Sequence, residues 1–152
     1  MKTITYITLL TLLIVNTACK PKQKMSAKNT DNNITFTEII SGTHSNFKEA
    51  NSFIVNSEDE LRKVYATINM TRRPGFYLPK IDFSKESIIC LFLGTKTTGG
   101  YSVKINNINL NGKKAEIFYK ATTPNGITTT IITQPFYIAK TKKINTAEFV
   151  KI

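Results

Sequence analysis

The chain has 152 residues, a formal net charge of +11 at pH 7, two cysteines and one histidine. One histidine excludes a histidine-rich metal site, and no nucleic-acid-binding motif accompanies the basic charge. We therefore expect no nucleic-acid partner, and the charge serves either solubility or attraction to an acidic partner or envelope polymer.

The first residues have the pattern of a secretory signal. Lys2 supplies a positive charge, and residues 6–15 (YITLLTLLIV) form an apolar run of about ten residues, too short to span a bilayer. The small residues Thr17 and Ala18 then precede Cys19, a pattern that resembles the lipobox of bacterial lipoproteins.

The lipobox resemblance implies a membrane anchor. It implies that residues 1–18 are removed as a signal peptide, that the Cys19 thiol is diacylated and that the new N-terminus is acylated; several acyl chains together anchor a protein stably. We expect the protein in the bacterial cell envelope, lipid-anchored to the outer membrane on its periplasmic or its surface side, without a bond between Cys19 and Cys90. Asn16 departs from the aliphatic residue usual at its position, which leaves an ordinary cleaved signal with an incidental cysteine as the alternative.

The next segment predicts a tether. Residues 20–33 contain no aromatic residue and one strong hydrophobe, Met25, so they cannot bury enough apolar surface to offset the entropy of ordering. Residues 19–33 are therefore expected to link the lipid to one globular domain, residues 34–152, which is long enough for a hydrophobic core. The sequence leaves the oligomeric state open.

The domain begins with strand patterns and one helix. Residues 34–40 alternate as a strand, and a short strand follows at 53–55. Ser57 and Glu60 form a capping box, which predicts a helix over Ser57–Ile68. Its apolar positions fall on one stripe that should pack on a sheet: Leu61, Val64, Tyr65 and Ile68.

The rest of the domain predicts strands joined by loops. The apolar run at 87–93 indicates a central strand buried on both faces, after a proline-containing loop at 70–80. The remaining expected elements are strands at 101–110 and 113–120 joined by an Asn111-Gly112 hairpin turn, a loop at 122–126, one or two strands over 128–140 interrupted at Pro135, and a last strand at 148–152. Pro135 suggests an edge strand or a bulge. The predicted fold is α+β and mainly β: an antiparallel sheet or β-sandwich of about seven strands with the helix packed on one face.

No residue pattern indicates a catalyst, a metal site or a cofactor. His44 lies in a Ser- and Thr-rich loop without a nucleophile elbow, and Cys90 lies in a core run where a thiolate is not stabilised. Asp82 and Glu86 flank a strand and are not paired for acid–base chemistry. A binding or assembly role is the default.

The stretch Thr97–Tyr101 carries a family resemblance. The chain around it resembles the C-terminal domain of the PrcB family, bacterial envelope lipoproteins named for an accessory subunit of a surface subtilisin-like protease complex. The motifs that carry it are Asp82-Phe83, Leu93-Gly94, Thr98-Gly99-Gly100-Tyr101, the strand Ser102–Ile105, Pro124 and Pro135-Phe136-Tyr137. The resemblance, which covers about residues 50 to 140, implies a role in stabilising or assembling a partner protease, without catalysis.

A second resemblance is to chagasin-like inhibitors of cysteine peptidases, because Thr97–Tyr101 is similar to their Thr-Thr-Gly-aromatic loop. Those inhibitors insert three loops from one end of an immunoglobulin-like sandwich into the protease cleft. The glycine-rich second loop is reduced here to Pro124-Asn125-Gly126, and an Arg-Pro pair occurs earlier in the chain than expected, at Arg73-Pro74.

The two Thr- and Gly-containing segments form the candidate site. Two hairpin-linked strands would bring residues 101 and 121 to the same end of the sheet, where loops on a rigid scaffold commonly bind partners. The candidate residues are Thr97, Thr98, Gly99, Gly100, Tyr101, Thr122, Thr123, Pro124, Asn125 and Gly126. The same turn also has a purely structural explanation: Gly99-Gly100 supplies positive φ between two core strands while Tyr101 packs inward. An anionic polymer would instead use Lys96, Lys113, Lys114 and Lys120.

Overall fold

The computed structural model of the protein describes residues 32–111 and 114–152. In these residues seven strands and one helix form three layers, namely the helix, a four-stranded sheet and a three-stranded sheet. The elements are β1 (Phe36–Gly42), β2 (Ala50–Val55), α1 (Glu58–Ile68), β3 (Glu86–Leu93), β4 (Ser102–Asn111), β5 (Lys114–Thr122), β6 (Phe136–Lys142) and β7 (Thr146–Lys151). The mainly β, α+β fold predicted from the sequence is confirmed.

The predicted signal peptide, Cys19 and the predicted tether up to residue 31 lie outside the described residues. Among the residues that are described, no helix is long and apolar enough to cross a membrane.

The four-stranded sheet is the middle layer, with strand order β1-β6-β3-β2 and antiparallel neighbours throughout. Along β3, Cys90 and Phe92 face the helix, whereas Ile89 and Leu91 face the three-stranded sheet. Both faces of this strand are therefore buried. This confirms the central strand predicted from the apolar run at 87–93.

The predicted hairpin forms two of the three strands of the second sheet, whose order is β4-β5-β7. β4 and β5 pair from Ser102 with Thr122 to Asn111 with Lys114. Gly112 of the predicted Asn111-Gly112 turn lies outside the described residues, as does Lys113.

A bulge and a parallel strand distinguish this sheet from the regular antiparallel pairing that was predicted. The register of β4 shifts between Ile105 and Asn107. The next buried residue after Ile105 is therefore Ile108, three positions later instead of two. β7 pairs with β5 in parallel. Its direction follows from the short crossover at 143–145, which starts β7 at the same end of the domain as β5.

Two expectations for residues 128–140 are wrong. Only β6 is a strand there, because Thr133 and Gln134 make isolated bridges and residues 128–132 pair in no strand. Pro135 marks neither an edge nor a bulge. It is buried just before β6, an inner strand, where its missing N–H removes no ladder bond and its carbonyl accepts the Leu93 N–H at 2.9 Å.

The helix has the predicted start and the predicted buried stripe. The Ser57 hydroxyl accepts the Glu60 N–H at 3.3 Å, and the Glu60 carboxylate accepts the Asn56 N–H at 3.0 Å. The first bond satisfies an N–H donor that the first helical turn leaves free, and the second ties the residue before the cap to the helix. The buried side chains are Leu61, Val64, Tyr65 and Ile68, which pack on the middle sheet.

Replacing Ser57 by alanine should lower the free energy of unfolding by about 1 kcal/mol, because the Glu60 N–H loses its acceptor. Urea denaturation followed by circular dichroism measures the change. Thr37→Ala, at an exposed strand position without a side-chain hydrogen bond among the described residues, is the control and should change little. Equal stabilities of the two variants would contradict the cap.

Three of the connections between strands meet at one end of the domain. At this end β1, β3, β5 and β7 finish and β2, β4 and β6 begin. We call it the loop end. It carries the connections at 43–49, 94–101 and 123–135.

Candidate functional site

The two candidate segments lie against each other at the loop end. Ser102 and Thr122 are paired neighbours on β4 and β5, so the loops that enter β4 and leave β5 start side by side. A methyl group added at Gly100 would lie 2.8 Å from Cβ of Pro124. Both loops line one pocket of about 320 Å³, which includes Gly99, Gly100, Pro124 and Asn125. The sequence-based expectation that they share an end of the sheet agrees with this geometry.

The turn at Gly99-Gly100 is not a hairpin between paired strands. It lies in the connection that crosses from β3 in the middle sheet to β4 in the outer sheet. Only Gly100 has a positive φ, of 87°, so the expectation of positive φ holds for Gly100 and not for Gly99.

Backbone hydrogen bonds fix this crossing loop to the chain that enters β6. Lys96 and Thr133 exchange two such bonds of 2.8 and 2.9 Å, and the Gly99 N–H donates to the Thr129 carbonyl at 3.1 Å. The Thr133 hydroxyl also donates to the Thr98 carbonyl at 3.0 Å. The loop is therefore held through its main chain, which leaves its side chains available.

Most threonine side chains of the candidate site are exposed and available for contacts with a partner. Thr97, Thr122 and Thr123 are exposed and Thr98 is half-buried. In the described part of the chain none of these four hydroxyls makes a hydrogen bond. Tyr101 is also half-buried, and the Lys96 ammonium lies 5.7 Å from the centre of its ring.

The sequence reasoning missed an apolar extension of this surface. Ile127 is fully exposed, and Ile131 and Ile132 are 48% and 64% exposed. The stretch 121–139, which includes them, contains no charged residue, although one residue in five of the whole chain is charged. This absence of charge was the available signal, and it is typical of the central part of protein interfaces.

A third loop reaches the same end from the helix side. The Arg72 guanidinium donates to the His44 carbonyl at 3.3 Å and lies 4.0 Å from the Phe76 ring centre. His44 bridges to Gln134, whose side chain donates to the Thr95 hydroxyl at 3.4 Å. The neighbouring Arg73-Pro74 pair is therefore linked to the loop end through these contacts.

The candidate catalytic groups occupy ordinary structural positions. His44 is exposed, and its Nδ1 lies 2.9 Å from the Thr43 hydroxyl. Cys90 is buried between helix and sheet, as predicted, and burial raises the pKa of its thiol far above the usual value, so it stays protonated. In residues 32–111 and 114–152, no three histidine, cysteine or carboxylate side chains lie together as a metal site would need.

The lysines named for an anionic polymer do not form one surface. Lys113 lies outside the described residues. Lys114 pairs with Glu148 at the hairpin end of β5, whereas Lys96 and Lys120 lie towards the loop end. The three described lysines are thus divided between opposite ends of the domain.

Comparison with known proteins identifies one family. Residues 87–142 match the family model described as PrcB C-terminal. No curated protein and no solved structure matches the chain significantly. The match runs from β3 to β6 and contains both candidate loops. The resemblance to the PrcB family that the motifs indicated is thereby confirmed over residues 87–142.

Proposed function

We propose that the protein is a non-catalytic, lipid-anchored envelope protein whose loop end binds and stabilises or regulates a partner protein, with a protease as the favoured class. The carrying observation is that the two loops lie side by side on a fixed backbone, with exposed threonines and isoleucines and no charge between residues 121 and 139. Exposed apolar patches bordered by polar groups commonly mark protein-binding sites. The family resemblance supports a protease as the partner.

Changing Thr97 and Thr98 together to alanine should weaken partner binding about tenfold or more. The change removes two hydroxyls that make no hydrogen bond within the described fold and are therefore available to bond to the partner. A pull-down from native envelopes followed by mass spectrometry measures it. The fold should be unaffected, since the loop is held by main-chain bonds.

The matched control is Thr35→Ala/Thr37→Ala, two exposed threonines at the opposite end of the domain. It should recover the same partner at the wild-type yield. A loop variant that retains the partner at that yield, or a wild-type protein that recovers no protease, would contradict the proposal. Raising the salt concentration distinguishes the loop contact from binding of an anionic polymer. Binding through exposed lysines weakens steeply with salt, whereas a contact through Thr, Gly and Tyr residues does not.

We expect Cys19→Ala to move the protein from the membrane fraction to the soluble fraction, because the alanine cannot carry the acyl chains that anchor the domain. Fractionation and the mass of the N-terminal peptide measure this. Cys90→Ala removes the other cysteine and should stay membrane-bound. A membrane-bound Cys19→Ala protein without acyl mass would show that the anchor lies elsewhere.

A second candidate function is insertion of the loop end into a cysteine peptidase. The observation that favours it is the link from Arg72, next to Arg73-Pro74, through His44 and Gln134 to Thr95 of the crossing loop. A third loop therefore reaches this end, as in chagasin-like inhibitors. Titration of papain separates the candidates: stoichiometric inhibition that is lost in Thr97→Ala/Thr98→Ala supports insertion, and undiminished papain activity excludes it for papain-like enzymes.

A further inference from the structure

A second cavity opens at the loop end, between the edge strands of the two sheets. It has a volume of about 350 Å³, within the range of natural ligand pockets. Its apolar part comes from Leu91, Leu93 and Val103, and the basic residues Lys96 and Lys151 also line it. We call this cavity the edge cleft.

The edge cleft exists because small residues stand where large ones are needed to fill the space between the sheets. Ala50 and Ser52 of β2 pair with Leu93 and Leu91, so they share the sheet face that looks towards β4 and β5. Ile54, the next residue of that row, packs against the core between the sheets. The methyl and hydroxymethyl groups of Ala50 and Ser52 leave the space beside them open.

The strand that borders the edge cleft has one unpaired side. Among the described strands, β2 is the last of the middle sheet and pairs with β3 alone. The Ser52 N–H donates to the side-chain oxygen of the preceding residue, Asn51, at 2.9 Å and not to another strand. Such an edge offers main-chain donors and acceptors to an extended peptide, which is a common mode of peptide recognition.

The charges at the edge cleft favour an anion. Within the described residues neither Lys96 nor Lys151 has a carboxylate within ion-pair distance, although four other ion pairs are formed. A peptide that runs antiparallel to β2 ends beside Ala50, the loop-end residue of that strand. Its final carboxylate would then reach the lysine-bearing end of the cleft.

We propose that the edge cleft binds the C-terminal tail of a partner protein. The tail adds to β2 as an antiparallel strand, its last apolar side chain enters the space beside Ala50 and Ser52, and its α-carboxylate pairs with Lys96 and Lys151. This site goes beyond the loop contact and does not depend on it, since the two surfaces have only the Lys96 region in common.

The test uses the full-length protein and fluorescein-labelled octapeptides of Ser, Thr and Val that end in Phe, Leu or Val, each made as a free acid and as a C-terminal amide. Fluorescence polarisation should show that the free acids bind and that the amides bind about tenfold more weakly, because the amide loses its charge-assisted bonds. Hydrogen exchange of the β2 amides should slow when a free acid is added.

Two variants and their controls locate the binding. Lys96→Gln/Lys151→Gln should remove the difference between acid and amide. Lys63→Gln/Lys104→Gln deletes two exposed lysines elsewhere and should keep that difference. Ser52→Leu fills the cleft and should abolish binding while the melting temperature stays near that of the wild type. Thr97→Ala/Thr98→Ala should bind the peptides normally, so a failure of the loop proposal is distinguishable from a failure of this one.

Three results would overturn the inference. Equal binding of free acids and amides would show that the cleft does not recognise the α-carboxylate. Unchanged acid preference in Lys96→Gln/Lys151→Gln would place the site elsewhere. Binding of sodium decanoate in the absence of any peptide binding would make the edge cleft a fatty-acid site.

Discussion

Replacing Phe92 by alanine is expected to lower the free energy of unfolding by about 3–5 kcal/mol, a large share of the stability of a small domain. Phe92 is 2% exposed, and its ring is stacked 3.8 Å from that of Phe47 between the helix and the middle sheet. The rings of Phe53 and Phe136 lie 5.8 and 6.3 Å away. Removing the phenyl ring would leave a cavity and delete its contacts with the other three rings.

Urea denaturation of the variant and of Tyr77→Ala measures this effect. Tyr77 is 93% exposed, so its replacement removes a ring of similar size without a cavity and should change stability by no more than about 0.5 kcal/mol. A Phe92→Ala protein as stable as Tyr77→Ala would show that the aromatic cluster does not form as described.

The second large effect is expected for Gly94→Ala, which should cost about 2–5 kcal/mol. Gly94 has a φ of 68°, a left-handed conformation that costs an L-residue about 1–2 kcal/mol. A methyl group there would also lie 2.7 Å from the Ala50 nitrogen and 2.8 Å from the Lys48 carbonyl oxygen. Both are main-chain atoms where the chain enters β2, and overpacking of this kind adds about 1–3 kcal/mol.

Gly126→Ala is the matched control, because it separates conformation from crowding. Gly126 has a φ of 91°, and a methyl group there meets nothing within 4 Å. It should therefore show only the conformational part of the cost, about 1–2 kcal/mol. Denaturation midpoints of both variants measure the difference. Equal losses would mean that the main chain near Ala50 moves aside without cost.

If both proposals hold, the loop end has two kinds of recognition surface. The Thr- and Ile-bearing loops offer uncharged side chains, whereas β2 offers a strand edge beside two lysines. A partner that used both would be held by its folded surface and by its tail. The separate variants Thr97→Ala/Thr98→Ala and Lys96→Gln/Lys151→Gln allow each contribution to be measured alone.

The sequence by itself determined the elements whose signals are local. The helix start needs only Ser57 and Glu60, and its buried stripe needs only spacing along one helix. The apolar run at 87–93 predicted a strand covered on both faces, because a strand with one exposed face would alternate apolar and polar residues. The Thr98–Tyr101 motif also indicated the family that the segment 87–142 matches.

The tertiary structure decided what depends on distant pairing. The β-branched run at 127–133 has the composition of a strand, yet among the residues that the structure describes it bonds to the crossing loop through the backbone of Thr129 and Thr133 alone. β7 runs parallel to β5 because the crossover at 143–145 starts it at the same end of the domain as β5. The residues of β7 themselves carry no signal that predicts this direction. The edge cleft likewise depends on which strands face Ala50 and Ser52. A strand needs a partner, and the partner is chosen by the whole sheet rather than by the residues that form the strand.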